Sequence, residues 1–241
     1  MWLAWLLACG FEEAPPDAVG ASCPSGAWAR EVDEDLELPA GDDVLARPGD
    51  LVIGNERLAM VLQHPDAPRT WYHYGGIPVD LWPVEGCRPV GPERFYEMGF
   101  IVGRLDVLEV TSSVLRMFRG ERVRVVADGR DGGAAVVEVE GVDDRFWLVE
   151  LELVKQAVVQ GGRKEPTEEM GVTLTARYTL EPGADAVKVE LVARAEAATS
   201  LFMGSFHVGS DHAPVAAWRS GRLELGGFGF DVGLPWLAFG D

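Results

Sequence analysis

Lysine is almost missing from this chain: three residues in 241, against 18 arginines. Basic residues total 21 and acidic residues 39, so the formal charge is 21 − 39 = −18. Such a surplus leaves too few cations to neutralise nucleic-acid phosphates and repels anionic headgroups, which argues against both as partners. Long apolar runs are missing too; none approaches the roughly 20 residues that cross a bilayer as a helix. Histidine occurs four times and cysteine three times. There is no CxxC, HExxH or GxSxG, no phosphate loop and no dinucleotide fingerprint, so the motifs of zinc ribbons, zincins, serine hydrolases and nucleotide-dependent enzymes are absent. No cofactor is expected from these residues. What the chain does have is 47% apolar residues, 29 glycines and 15 prolines. That is too apolar for disorder, long enough for a sizeable core, and interrupted often enough to favour strands and turns.

The N-terminal apolar run ends in Leu6-Leu7-Ala8-Cys9, which resembles the lipobox of bacterial lipoproteins, where the cysteine is lipid-modified and becomes N-terminal after cleavage. The run lacks the basic n-region of a signal peptide. Residues 11–26 are rich in Pro, Ala, Ser, Gly and Glu, the composition of a tether. The expected organisation is a lipoprotein signal segment at 1–8, a flexible tether at 9–30 and a β-sandwich domain over 31–241. A domain cut short at its C-terminus is an alternative, because the apolar stretch 226–241 needs a surface to pack on. This places the chain in a bacterial cell envelope, lipid-anchored at the periplasmic or outer-membrane face. If Cys9 carries lipid, Cys23 and Cys87 remain as an even pair in an oxidising space. A disulfide between them and two unrelated buried thiols are both open readings.

Period-2 alternation is clearest in two segments. In 172–180 the apolar set is Val172, Leu174, Ala176, Tyr178 and Leu180; in 187–195 it is Val187, Val189, Leu191, Ala193 and Ala195. The Pro182-Gly183 turn signal between them predicts an antiparallel hairpin with one buried and one wet face. Fainter alternation predicts strands at 50–54, 57–63, 105–118, 121–127, 134–141, 146–159, 200–208 and 222–226. Turns are expected at 54–56, at Arg119-Gly120 and at 128–133, with Asn55 suited to a positive φ. Frequent strands with short turns and no alternating helices predict an all-β fold, a large antiparallel β-sandwich of the supersandwich kind.

One cluster has the chemistry of a recognition site. Trp71, Tyr72, His73 and Tyr74, with Asp80 and Trp82 soon after, combine flat aromatic faces with hydrogen-bonding groups, as a glycan or a protein ligand requires. Gly75-Gly76 would let backbone approach that ligand. The competing reading is that these aromatics are core and the glycines serve a turn. A metal set of His207, Asp211 and His212 fits poorly, since 207 and 211 share a strand face and 212 does not. Acid–base chemistry would need His73 or His207 with Glu97 or Glu109, and no spacing selects a pair.

Two stretches carry a further resemblance: GDLVIGNERL at 49–58 and YGGIPVD at 74–80. Over roughly residues 48–210 the chain resembles the β-rich N-terminal region of bacterial secreted proteins and lipoproteins in which a PHP-type metal-dependent hydrolase domain often follows. The resemblance implies an extracytoplasmic β-sandwich module, and no His-rich metal motif of that hydrolase is present in this chain. The resulting expectation is a binding or scaffolding module with a glycan or protein ligand. The alternatives are a carbohydrate-active enzyme with epimerase- or lyase-like chemistry, and an accessory domain of a metal-dependent hydrolase.

Overall fold

Where alternation is strongest, the backbone follows it residue by residue. The computed structural model describes residues 26–40, 44–70, 72–91, 95–104, 114–145, 170–195, 201–209, 215–219, 222–225, 228–231 and 237–239. Every regular element among them is a strand: β1 (Trp28–Glu31), β2 (Leu51–Gly54), β3 (Leu58–Leu62), β4 (Pro78–Glu85), β5 (Arg88–Pro89), β6 (Phe95–Arg104), β7 (Val114–Asp128) and β8 (Ala135–Arg145). The remainder are β9 (Val172–Leu180), β10 (Lys188–Ala195), β11 (Phe202–Gly209), β12 (Val215–Arg219), β13 (Arg222–Leu225), β14 (Phe228–Asp231) and β15 (Leu237–Phe239).

The strands form a five-stranded sheet in the order β1-β2-β3-β4-β5 and a seven-stranded sheet in the order β10-β9-β8-β7-β6-β11-β14. A three-stranded sheet, β13-β12-β15, completes the set. All pairings are antiparallel. The protein is an all-β antiparallel sandwich.

The core between the two larger sheets joins Ile53, Met60 and Leu62 to Phe100, Phe118, Val137, Leu174 and Tyr178. A second core lies on the opposite residues of β2 and β3, where Val52, Ala59 and Val61 meet Trp82, Tyr72 and Ile101. Both faces of β2 and β3 are therefore buried, and these strands read as continuous apolar runs instead of alternating ones. In β9 the odd-and-even split survives: Val172, Leu174, Ala176, Tyr178 and Leu180 are buried, with exposed or half-buried residues between them.

Several expectations need correction. Arg119-Gly120 is not a turn, because β7 runs unbroken through it and a register shift between Gly120 and Arg122 absorbs the irregularity as a β-bulge. The tether does not extend to residue 30, since β1 already pairs with β2 over Trp28–Glu31. Asn55 keeps a negative φ; Cys87 is the one non-glycine with positive φ among the described residues. Strands at 78–85 and 95–104 lacked clear alternation in the sequence. The expected strand 146–159 and most of 105–118 lie outside the described residues.

Candidate functional site

The chain between β3 and β4, residues 63–77, is a loop closed at its base. The Gln63 N–H donates to the Ile77 carbonyl at 2.9 Å, and the Gly76 N–H donates to the Gln63 carbonyl at 3.0 Å. Inside the loop Tyr72 is fully buried. Its N–H donates to Glu97 Oε2 at 3.0 Å, and its hydroxyl faces the carbonyls of Phe100, at 3.1 Å, and Phe118, which lies closer still. Burial pushes the Tyr72 phenol well above its ordinary value, with Tyr74 adding to the effect. Tyr72 is thus an anchor driven into the seven-stranded sheet, with its hydroxyl committed to backbone carbonyls and its N–H to the Glu97 carboxylate.

The glycines complete that anchoring. A Cβ on Gly75 would stand 2.4 Å from the carbonyl oxygens of both His64 and Pro65. Gly76 has φ +79° and packs on Gly120, whose N–H donates to the Gly75 carbonyl at 3.2 Å. The close backbone approach that Gly75-Gly76 permits is made to the protein's own β7 bulge, not to a ligand.

Asp80 and Trp82 also belong to the interior. Both are at most 2% exposed. The Asp80 carboxylate accepts from the Leu45 N–H at 3.1 and 3.2 Å and from the Ala46 N–H at 2.6 Å, tying residues 44–46 to β4. Desolvation raises its pKa to about 7; the same backbone donors work against that shift, and Asp50 nearby adds to it. Asp50 is itself buried and ion-paired to Arg69, and it accepts from the N–H groups of Arg47 and His64 at 2.9 Å each. Three of the residues expected to face a ligand, Tyr72, Asp80 and Trp82, are therefore enclosed by packing, and burial leaves no surface for recognition on them.

His73 and Tyr74 lie differently. His73 is exposed and Tyr74 half-buried, its ring set edge-on to Tyr72 at a centroid distance of 5.7 Å and an angle of 83°. Partial burial and a hydrogen bond donated to Asp144 raise the Tyr74 phenol to about 12. Asp144 also pairs with Arg119 Nε at 2.6 Å, and Arg119 reaches Glu121 at 3.1 Å. The result is a rim of aromatic, cationic and anionic groups held on the 63–77 loop and on β7 and β8. Arg119, Asp144 and Glu121 were not foreseen. The available signal was the paired Asp143-Asp144 interrupting an otherwise apolar-alternating strand.

Asp143 points the other way and forms a buried pair with Arg116 Nε at 2.9 Å, while accepting from the N–H groups of Met170 and Val172. Glu97, considered above as an acid–base partner, is fully buried against Tyr72, with its carboxyl raised by desolvation. His207 stands on β11 opposite Met98 of β6, whereas Trp71, Glu109, Asp211, His212, Cys9 and Cys23 lie outside the described residues. Among the described residues no group of three or more His, Cys, Asp or Glu converges as metal ligands would. Cys87 is disulfide-bonded. It occupies the two-residue turn of the β4–β5 hairpin, where Gly86 has φ +56° and Cys87 φ +69°, the signs a type I′ turn requires.

No protein-family model matches the chain, and no curated protein or solved structure matches it either.

Proposed function

We propose that this chain is a lipid-anchored, extracytoplasmic β-sandwich module of a bacterial cell envelope that binds or scaffolds, and that it does so at the rim around His73 and Tyr74. The observation that carries the binding reading is the split within one short loop. Tyr72 is sealed into the sheet, and the adjoining His73 and Tyr74 are held at the surface on that anchor. Side chains fixed in this way lose little entropy when a ligand arrives. Tyr74 offers a flat ring with a polar tip, and Arg119 and Asp144 offer charged hydrogen-bonding groups beside it. That combination suits the apolar faces and hydroxyls of a glycan. A polar protein surface is the other ligand of the same chemistry. The disulfide at Cys87 supports an oxidising compartment, and Leu6-Leu7-Ala8-Cys9 supports the anchor. The likeness to regions that precede PHP-type hydrolase domains favours an accessory role beside such a domain.

The test is capture of oligosaccharides from bacterial envelopes on an array by the purified chain. Tyr74→Ala and Arg119→Ala should each weaken capture roughly tenfold, as central contact residues do, a loss larger than any accompanying drop in melting temperature accounts for. Tyr72→Phe should instead lower the melting temperature. If Tyr74→Ala and Arg119→Ala reduce capture only in step with lost stability, the rim is not the site; catalytic turnover of a captured sugar would favour the enzyme alternative. Cys9→Ser should release the chain from the membrane fraction, and a variant that stays there overturns the anchor.

A further inference from the structure

β10 closes one edge of the seven-stranded sheet; among the described residues, no strand pairs with its outer side. Its register with β9 sets the two faces. Val189, Leu191 and Ala193 stand opposite Tyr178, Ala176 and Leu174 on the core side, while Lys188, Glu190, Val192 and Arg194 stand opposite Thr179, Arg177, Thr175 and Thr173 on the outer side. Two features of this edge leave apolar surface uncovered. Val189, Leu191 and Ala193 are only half-buried, although their β9 neighbours Leu174, Ala176 and Tyr178 are fully enclosed. On the outer face Val192 is 48% exposed, set between Glu190 and Arg194. Arg194 has no carboxylate partner among the described residues, and Glu190 holds Lys188 at 3.0 Å.

An open edge offers its unpaired N–H and carbonyl groups to another strand. A second copy of the same strand, arriving antiparallel about a two-fold axis, must place residues of like facing opposite each other, which restricts the centre of the pairing to one residue. Centred on Leu191, Lys188 faces Arg194 of the second copy, a like-charge pair. Centred on Glu190, that glutamate faces its own copy. Centred on Ala193, only Leu191–Ala195 of β10 pair, and Glu190 has no partner within the strand. Only the register centred on Val192 puts Glu190 opposite Arg194, twice by symmetry, with Val192 on Val192. In the same register Leu191 meets Ala193 on the core side, which covers the half-buried residues. Opposite charges directly across a strand pair stabilise it and like charges destabilise it.

We infer that β10 is a homodimerisation edge, pairing antiparallel with β10 of a second copy about Val192 and joining the two seven-stranded sheets into one. Charge rejects the Leu191 and Glu190 centres. A Val189 centre would pair Lys188 with Glu190 but keeps only Lys188–Glu190 of β10 in register, whereas the Val192 centre pairs Val189–Ala195. The pairing uses a surface distinct from the His73–Tyr74 rim and does not depend on the binding role assigned there.

Sedimentation of the full chain carrying Cys9→Ser, which removes any lipid, tests the pairing. A concentration-dependent dimer is expected. Arg194→Glu and Glu190→Arg should each weaken it roughly tenfold or more, and the two together should restore it. Val192→Cys should cross-link two chains under mild oxidation, with the parent chain as control on the same gel. Because Val192 is exposed, this variant tests the edge even if a charge reversal impairs folding. A chain that stays monomeric at all concentrations and fails to cross-link overturns the inference, leaving the charges as protection of the edge. A dimer indifferent to the charge reversals overturns it as well, by placing the interface elsewhere.

Discussion

The side-chain amide of Asn55 donates to the carbonyl oxygen of Ala184 at 2.7 Å and to that of Glu181 at 3.0 Å, linking residues more than 120 positions apart. Its Oδ1 meanwhile accepts from the N–H groups of Arg57 at 2.8 Å and Leu58 at 3.0 Å. One buried amide therefore shapes the β2–β3 turn and fastens it to the β9–β10 turn of the other sheet. Asn55→Ala leaves two donors and two acceptors without this partner in a region that is 2% exposed at Asn55. A loss of about 2–4 kcal/mol is expected, read as a lower urea midpoint with an unchanged slope. Asn55→Asp keeps the acceptor but turns a carboxylate toward the two carbonyls. It should be no more stable than the alanine variant at neutral pH.

The roles that Asn55 and its neighbours play mark how far the sequence could be read. The hairpin of β9 and β10 was legible because β9 has one buried face and one wet one, so that its side-chain period shows in the residue types. Both faces of β2 and β3 are buried, and a short apolar run such as Leu58 to Leu62 says only that it is interior. The bulge at Gly120 looked like a turn because glycine serves both; what decides is the docking of Gly75 on it, a contact between residues 45 positions apart. Within the aromatic cluster, which side chains are buried was not legible. Nothing local distinguishes Tyr72, whose hydroxyl finds two backbone carbonyls, from Tyr74, whose hydroxyl finds Asp144. Those partners lie on β6, β7 and β8, and only the assembled sheet brings them near.

Glu138 sits on the outer face of β8 between two guanidiniums, with Arg124 at 2.6 Å and Arg177 closer still. Burial opposes its ionisation, but the hydrogen bonds from Arg177 and Arg124 outweigh that and hold the carboxyl below its ordinary value. A depressed carboxyl stabilises the fold above its unfolded-state pKa, and the contribution is lost as pH falls through the folded value. Glu138→Gln should cost roughly 1–2 kcal/mol at pH 7, discounted because both arginines are about half exposed. The gap between wild type and variant should close as pH is lowered below 4.5, the ordinary value. A gap that persists in acid would mean that packing, not charge, carries Glu138's contribution.

Asp80 works in the opposite sense. Its folded-state pKa of about 7 stands above the ordinary 3.8. Folding therefore favours the protonated form, and the associated stability is fully present below 3.8 and lost as pH rises through 7. The Leu45 and Ala46 N–H groups moderate this loss by donating to the carboxylate, and Arg69 adds a further favourable charge; Asp50 and burial oppose them. Asp80→Asn removes the titration. It also turns an amide N–H₂ toward at least one of those backbone donors, at a cost that does not vary with pH. The wild type should therefore lead the variant most at pH 4 and lose ground as pH rises to 8, by on the order of a few kcal/mol in urea-derived stabilities. Because the two proteins share every other titrating group, the difference isolates Asp80. A difference that grows with pH would show that the backbone donors prevail over burial, and that this carboxylate is held ionised to fasten residues 44–46 to β4.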